Sequence, residues 1–258
     1  MKKLSATVIV VNEEKKIGPC LQSLKRVADE IIVVDSLSTD NTKAVCLAHG
    51  VTFIEQPFLG YIEQKNFALG KTSHIHVLSL DADEALSDEL IESILREKEK
   101  GFPADGYTMN RYNFYCGQWV RHGTYYPDRK LRLLDVNKGQ WAGQNPHDKI
   151  IMQKGASIIH LIGDLLHHTY QSEEEHRHQQ DRFSTIAAKA MYDQGIPSYS
   201  YKIWLNSIAA FIKGYVIKLG FLDGKAGFNI AWYTALHSYW KYKKLARLYR
   251  EKQQPHAE

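Results

Sequence analysis

Val77-Leu78-Ser79-Leu80-Asp81-Ala82-Asp83-Glu84 is a short apolar run that ends in three carboxylates. The run has the length and composition of a buried strand, and Ser87 behind it is a suitable N-cap for an amphipathic helix. Open α/β sheets keep their ligand crevices at the carboxyl ends of strands, so we expect these carboxylates to face a cleft. If the segment stays extended, Asp81 and Asp83 point the same way and can share one divalent cation.

The composition is that of a globular protein with an asymmetric charge distribution. The chain has 258 residues, of which 44% are hydrophobic, and this is enough for a large core. Its three cysteines show no C-x-x-C spacing, which argues against a disulfide framework and favours a reducing compartment. Residues 200–258 carry ten lysines and arginines against three acidic residues, a net charge of +7 in a chain whose total is +4. This basic region predicts an anionic partner, either a nucleic acid or a membrane surface.

The first hundred residues alternate between strand and helix patterns. Continuous β-branched or apolar runs occur at 4–11, 30–35, 51–55 and 77–80, and helical periodicity separates them. This rhythm predicts βαβ units and an α/β fold with a mostly parallel central sheet. The chain has no G-x-G-x-x-G after its first strand and no P-loop motif, which argues against dinucleotide and P-loop binding.

The pattern changes after Gly106. Strands are predicted at 107–115, 130–134 and 149–152, and the polar turn Asn145-Pro146-His147-Asp148 places a carboxylate at the rim of the third. Beyond His160 we predict helices: one over 169–190, then apolar stripes over 203–222 and 230–240 followed by the basic segment 241–250. These stripes suit either interfacial helices or a helical cap packed on the sheet. We therefore expect a catalytic domain over 1–165, with halves of about 1–100 and 101–165, and a helical extension over 166–258.

Four motifs in order resemble glycosyltransferase family 2, whose enzymes have the nucleotide-sugar-binding GT-A fold. They are Val11-Asn12-Glu13-Glu14, the segment 34–40, Gln64-Lys65-Asn66, and Leu80-Asp81-Ala82-Asp83-Glu84. Three later segments, 126–133, 146–148 and 221–228, are similar to the subgroup that adds glucose or related sugars to the lipopolysaccharide inner core. That subgroup usually has His-Glu where this chain has His147-Asp148.

The resemblance implies how a nucleotide-sugar donor would be bound. Asp35 would accept a hydrogen bond from the uracil or another base, and Val11 and Glu13 would line the nucleoside pocket. Lys65 would lie near the nucleotide. Asp83, helped by Asp81, would bind Mg²⁺ or Mn²⁺ on the diphosphate, since a metal neutralises the charge of the leaving nucleoside diphosphate.

An inverting displacement also needs a general base for the acceptor hydroxyl. The resemblance favours Asp148, with Glu84 as its rival, and His147 lies beside the preferred base. Arg132 would contact the diphosphate or pair with a carboxylate. His168 would approach the metal or phosphates, or be an ordinary buried histidine.

These observations predict a bacterial, metal-dependent inverting glycosyltransferase that is cytoplasmic and peripheral on the inner face of the membrane. It would move a hexose from a UDP-sugar to a lipid-linked saccharide, with the basic helical tail near anionic headgroups. No nucleic-acid-binding module is visible, so nucleic acid is not expected as a partner. Two alternatives stay open: a sugar-phosphate nucleotidyltransferase, although Val8–Glu14 lacks the usual glycines, and a non-catalytic sugar- or lipid-binding module.

Overall fold

A computed structural model describes residues 2–144 and 147–253, without the side chains of Gln144, His147, Lys252 and Gln253. The contacts within the chain divide it into two compact units. Unit 1 comprises residues 1–111 and 129–167, and unit 2 comprises residues 112–128 and 168–258. The division expected at 165/166 therefore differs mainly in the segment 112–128, which groups with the C-terminal helices.

The N-terminal half of unit 1 has the predicted strand–helix alternation. Its elements are β1 (Leu4–Val10), α1 (Ile17–Leu24), β2 (Glu30–Asp35), α2 (Thr42–Ala48), β3 (Thr52–Glu55), α3 (Tyr61–Leu69) and β4 (His76–Asp81). β1 pairs in parallel with both β2 and β4, and β2 pairs in parallel with β3. In this register Val10 lies opposite Asp35, and Ile9 lies opposite Asp81. The acidic ends of β2 and β4 consequently flank the end of β1.

The rest of the chain adds shorter strands and the C-terminal helices. These elements are β5 (Glu84–Leu86), α4 (Asp88–Glu99), β6 (Gly106–Tyr115), β7 (Gln118–Val120), β8 (Asp128–Asp135), β9 (Gly139–Gln144), β10 (His147–Met152), β11 (Ile158–Tyr170), α5 (Glu173–Asp193), α6 (Ser200–Ile212) and α7 (Gly224–Gln253). Among the described residues the main sheet runs β3-β2-β1-β4-β8-β6-β11-β5, β7 pairs with β6, and β9 and β10 form a separate antiparallel ladder. The α/β class with a helical C-terminal region is confirmed.

The core of unit 1 lies under the parallel strands. Apolar side chains of β1 and β4 pack against helices α1 and α4, including Val8, Leu21, Leu78, Leu90 and Ile94. All five are excluded from solvent. Burial on this scale is the main stabilising term of the fold, since each such side chain contributes about 1.5–3 kcal/mol.

The helix predicted behind the carboxylates begins where expected. Ser87 Oγ accepts a hydrogen bond from Leu90 N at 3.2 Å and so caps α4. Strand β11 passes close to this cap, because Ser87 N donates to Asp164 O at 3.0 Å and Asp164 N donates to Ser87 Oγ at 3.0 Å. Gly163, with φ +99°, allows the approach, since a Cβ there would lie 2.3 Å from Leu90 N.

Two local expectations are wrong. The Asp-Ala-Asp segment does not stay extended: β4 ends at Asp81, and Ala82 and Asp83 form a turn before β5. The helix expected from residue 169 begins at Glu173, because residues 158–170 form β11, which pairs with β5. Tertiary pairing outweighs local pattern in this segment, and Ser172 then caps α5 by accepting a hydrogen bond from Glu175 N at 3.1 Å.

The core of unit 2 is built around a buried histidine. His176 on α5 is fully excluded from solvent, and its ring nitrogens face the hydroxyls of Tyr115, at 3.0 Å, and Tyr125, at 3.1 Å. The ring also stacks on Tyr170 and lies beside Tyr233. Burial lowers the pKa of His176 to about 4. The imidazole is therefore neutral at pH 7, with one nitrogen donating and the other accepting.

The apolar stripe predicted over 203–222 is interrupted. α6 ends at Ile212, a π-helical turn follows over Lys213–Ile217, and a 3₁₀ turn over Gly220–Asp223 leads into α7. Among the described residues no single helix is both long and apolar enough to cross a bilayer. The segments Ser200–Ile217 and Gly220–Glu251, bent by 71°, meet the length and composition criteria only as a pair.

Candidate active site

The loops after β1 and β2 are joined by hydrogen bonds between the first two motifs. Asn12 N donates to Ser38 Oγ at 2.9 Å, Thr39 N donates to Asn12 Oδ1 at 2.8 Å, and Glu13 N donates to Thr42 Oγ1 at 2.8 Å. Asn12 has φ +55°, which turns the chain sharply at the end of β1. Two segments far apart in sequence thus form one rigid rim.

The predicted nucleoside residues lie at this rim. Asp35 is buried at the end of β2, where it accepts hydrogen bonds from Ser38 N, at 2.8 Å, and from the Ser38 hydroxyl. Val11 is exposed, and Glu13 is partly buried. Burial raises the pKa of Glu13, and the nearby Asp83 carboxylate adds to this effect while Lys16 opposes it. The rim therefore offers a pre-oriented carboxylate next to an exposed apolar side chain.

Lys65 connects two of the predicted site carboxylates. Its Nζ lies 2.8 Å from Asp81 Oδ1 and 2.7 Å from Asp148 Oδ2. The lysine is almost completely buried, and its ammonium lies 4.1 Å from the centre of the Trp141 ring. Asp148 comes from β10, which is remote in sequence from β4 and α3. The fold therefore brings the third and fourth motifs and the proposed base into one cluster.

Arg132 on β8 forms the second cationic centre. Its Nη2 lies 2.7 Å from Asp81 Oδ2 and 2.6 Å from Glu84 Oε1, and Arg111 lies 3.7 Å from the same Glu84 oxygen. Burial alone would raise the pKa of Asp81, but Arg132 and Lys65 outweigh it and hold that pKa well below its usual range. Asp81 is therefore ionised at any physiological pH.

The side chain of Glu84 is enclosed by protein groups. Its side chain is 0% exposed, and its Oε2 accepts a hydrogen bond from Asp81 N at 3.0 Å. The side chain of Asp81 is 32% exposed and that of Asp148 is 10% exposed. Asp148 is thus partly exposed and Glu84 is enclosed. Glu84 orients Arg132 and the turn after β4.

Asp83 has a histidine partner. His167 Nε2 on β11 lies 3.3 Å from Asp83 Oδ2. Burial would raise the pKa of Asp83 and the charge on Asp81 adds to this, but the hydrogen bond and charge of His167 outweigh both and lower the pKa. For His168 we expected either a position near the metal or phosphates or an ordinary buried histidine. The residue is exposed and belongs to unit 2, where its ring contacts Phe114 and Trp119.

Sequence reasoning missed three contributors to this cluster. Arg111 and His167 each lie in a strand, and a lone charged or titratable residue in a strand is too common to indicate a site. Trp141 is buried, its indole Nε1 donates to Ser79 Oγ at 3.3 Å, and its backbone is fixed by hydrogen bonds with the Asn66 amide at 2.8 and 3.0 Å. Asn66 thus fixes the position of the ring over which Lys65 lies.

The acidic residues fit a cation that arrives with a diphosphate. Asp81 and Asp83 retain side-chain exposures of 32% and 27%, and no group of three metal-ligating side chains occurs among the described residues. Mg²⁺ is typically held by one or two carboxylates with phosphate oxygens and waters completing its shell. The buried Nε of Arg132 has no hydrogen-bond partner among the described residues, which leaves one donor for an additional acceptor.

The sequence comparison identifies the family. The model of glycosyl transferase family 2 matches residues 5–158, which include Lys65 and the carboxylates and arginines around it, whereas His167 lies outside the matched range. The chain belongs to glycosyltransferase family 2. It is accordingly an α/β enzyme of the GT-A class that transfers a sugar, and the nucleotidyltransferase and the non-catalytic module are set aside.

Relatives of this glycosyltransferase extend over nearly the whole chain. The lipopolysaccharide core biosynthesis glycosyltransferase LpsC of Rhizobium meliloti is 29% identical over 95% of this chain and 94% of its own length. An uncharacterized glycosyltransferase of Rickettsia typhi is 30% identical over 88% of this chain and 81% of its own length. Among solved structures, glucosyl-3-phosphoglycerate synthase from Mycobacterium tuberculosis, in complex with Mn²⁺, UDP and glucosyl-3-phosphoglycerate, is 22% identical over 44% of each chain with a TM-score of 0.37. An overlap of that extent carries no conclusion about donor or metal.

Proposed function

We propose that this enzyme is an inverting, metal-dependent hexosyltransferase that moves a sugar from a UDP-sugar to a lipid-linked saccharide in lipopolysaccharide core biosynthesis. The observation that carries the proposal is the position of Lys65, whose Nζ lies 2.8 Å from Asp81 and 2.7 Å from Asp148. In this proposal the carboxylate on the donor side and the carboxylate on the acceptor side would share one buried cation. A displacement reaction needs the groups that bind the leaving diphosphate and the base that activates the attacking hydroxyl on opposite sides of the same carbon.

The donor would lie along the carboxyl ends of β1, β2 and β4. Asp35 would accept from the base, Val11 and Glu13 would flank the nucleoside, and Lys65 and Arg132 would contact the diphosphate. Asp81 and Asp83 would hold Mg²⁺ or Mn²⁺ on the diphosphate oxygens. The bound cation would neutralise the charge that develops on the leaving nucleoside diphosphate.

Asp148 would act as the general base. Its carboxylate would take the proton of the acceptor hydroxyl as that oxygen attacks the anomeric carbon, while the bond from this carbon to the diphosphate oxygen breaks. Diphosphate oxygens would compete for Lys65, which would weaken its ion pair with Asp148 when the donor binds. Lys65 would thus link donor binding to release of the base. His147 is adjacent to the base, and its side chain lies outside the described residues.

The similarity to LpsC supports the acceptor class. That relative is named for lipopolysaccharide core biosynthesis and aligns with 95% of this chain. A lipid-linked acceptor would require the enzyme to work at the inner face of the cell membrane, as a peripheral protein. The basic charge of residues 200–258 is compatible with such a surface.

Titration calorimetry with UDP, in the presence and absence of Mn²⁺, tests the donor and metal assignment. We expect Mn²⁺ to tighten UDP binding in the wild type and to have no such effect in Asp83→Ala. Glu92→Gln, at an exposed position of α4, is the matched control and should behave as the wild type. A screen of UDP-sugars for hydrolysis then identifies the donor. If the wild type binds UDP equally tightly with and without Mn²⁺, the metal assignment is contradicted.

A further inference from the structure

Unit 2 exposes apolar side chains at one turn. We define the tip segment as residues 212–222, which join α6 to α7 through the π-helical and 3₁₀ turns. Six of its apolar side chains are exposed to solvent: Ile212, Val216, Ile217, Leu219, Phe221 and Leu222. Contiguous exposed apolar surface of this kind marks an interaction site.

The backbone of the tip segment is tightly packed. A Cβ on Gly220 would lie 2.6 Å from Gly214 O, and a Cβ on Gly227 would lie 1.7 Å from Gly220 O. The base of the tip is also fixed within unit 2, because Gly123 N donates to Lys218 O at 2.8 Å. Backbone fills the inside of this turn, so its apolar side chains lie on the outside as a fixed surface and not as a loosely folded loop.

The charged side chains of the tip segment itself have one sign. From Gln194 to Arg250 the only acidic residue is Asp223, against nine lysines and arginines. The Asp223 carboxylate is held within unit 2: it accepts a hydrogen bond from His122 N at 2.7 Å and lies 2.9 Å from His122 Nδ1, and only 9% of its side chain is exposed. Lys213 and Lys218 are exposed within the tip itself. The tip segment itself has no acidic residue, and just beyond it Lys225 pairs with Glu173 of α5 at 2.9 Å. An anionic partner at the tip therefore meets lysines beside apolar side chains.

The basic segment 241–250 is less available than its composition indicates. Lys244 Nζ lies 2.6 Å from Asp181 and donates to the hydroxyls of Ser184 and Thr185 on α5, and Tyr249 OH donates to Ile196 O at 3.0 Å. Burial lowers the pKa of Lys241. Lys243, Arg247 and Arg250 of this segment are exposed, but its apolar side chains are buried or half-buried. The tip has both exposed lysines and exposed apolar side chains, so it is the better candidate for the membrane contact.

An apolar groove continues from the tip along α6 and α7. It has a volume of about 310 Å³ and is lined by Trp204, Ile208, Phe211, Phe228, Trp232 and Leu236 among others. Trp204 and Trp232 are exposed, and indole rings favour the boundary between headgroups and acyl chains.

We propose that the tip segment inserts into the interfacial region of an anionic bilayer, with Lys213 and Lys218 at the level of the lipid phosphates. The proposal names the part of the chain that contacts the membrane. It rests on the proposed function for the choice of a bilayer as the partner. A second copy of the chain is the less suitable occupant, because it would bring the same two lysines against each other. Alternating apolar and basic side chains on a short surface are typical of peripheral membrane contacts.

Sedimentation of the full chain with phosphatidylcholine vesicles, with and without phosphatidylglycerol, tests the tip. We expect wild-type binding only with phosphatidylglycerol, and an at least tenfold lower partition coefficient for the double variant Ile217→Gln/Leu222→Gln. Lys213→Gln/Lys218→Gln should lower it about thirtyfold, since each lysine near an anionic surface contributes about 1 kcal/mol. The matched controls are Ile162→Gln, at a position of unit 1 that is 70% exposed like Ile217, and Lys154→Gln at an exposed lysine.

Three results would overturn the proposal: no vesicle binding by the wild type, equal binding by the tip variants, or a tip variant that changes only the oligomeric state measured by light scattering. UDP titration of the same proteins separates this proposal from the proposed function. All tip variants should bind UDP as the wild type does. Vesicle binding without UDP binding would refute the proposed donor and support the tip assignment. UDP binding without vesicle binding would refute the tip assignment and support the proposed donor.

Discussion

The buried histidine of unit 2 makes the stability of this protein depend on pH in a calculable way. His176 has a folded-state pKa of about 4, against about 6.5 for an exposed histidine. Between these values the unfolded chain binds a proton that the folded chain does not, so unfolding is favoured as the pH falls. The contribution of the neutral His176 to the free energy of unfolding is therefore complete above about pH 6.5. Integrated from pH 7 to pH 4, the loss is about 3 kcal/mol.

The substitution His176→Gln isolates this contribution. A glutamine amide is not titratable, and it can both donate and accept a hydrogen bond, as the hydroxyls of Tyr115 and Tyr125 require. As the pH falls from 7 to 4, we expect the wild type to lose about 3 kcal/mol of unfolding free energy relative to the variant. Groups that titrate equally in both proteins cancel in this difference.

Urea unfolding followed by far-ultraviolet circular dichroism at pH 7, 6, 5 and 4 measures this shift. His178→Gln is the matched control, because His178 lies two residues away on the same helix with a side chain that is 67% exposed. Its pH profile should follow that of the wild type. A wild-type minus His176→Gln difference that stays constant with pH, or that shifts toward the wild type in acid, would refute the assignment of a neutral buried imidazole.

Three further predictions concern the active site and the helix beneath it. Asp148→Asn should lower kcat for glycosyl transfer about 10²–10⁴-fold while UDP binding by calorimetry stays unchanged; loss of UDP binding instead would assign Asp148 to the donor site. Arg132→Met should lower the free energy of unfolding in urea by about 3–5 kcal/mol because it removes the closest cation from the buried Glu84 and leaves Arg111 at 3.7 Å, and adding Glu84→Gln should recover part of the loss. Ser87→Ala should cost about 1–2 kcal/mol in the same assay by removing the cap of α4, and a cost near zero would mean that Ser87 Oγ does not cap the helix.

Local patterns in the sequence were sufficient for the parallel half of the fold. The strands β1, β2 and β4 are buried on both faces, so they consist mainly of apolar residues, and the acidic ends of β2 and β4 can be recognised from residue order alone. The cap at Ser87 is equally local. Patterns of this kind are reliable because strand, cap and helix are determined by neighbours in sequence.

The β11 segment shows where local pattern fails. Residues 165–167 pair with β5, a three-residue strand that has no signal of its own, and at the end of β11 Tyr170 O accepts a hydrogen bond from Cys116 N at 2.9 Å. The turn at Ala82 and Asp83 likewise depends on Glu84, which binds Asp81 N and Arg132 at once. Neither interaction can be inferred from residue types that are near each other in the chain.

The sequence alone determined the family, the acidic motif and the excess of basic residues toward the C-terminus. Only the tertiary structure decided which charges meet: it brings Asp148 to Lys65 across 83 positions and Arg132 to Asp81 across 51. It also decided which of the C-terminal lysines pack on α5 and which are exposed at the tip. The physical reason is that a charge acts on whatever lies within a few ångströms, and long-range folding alone determines those neighbours.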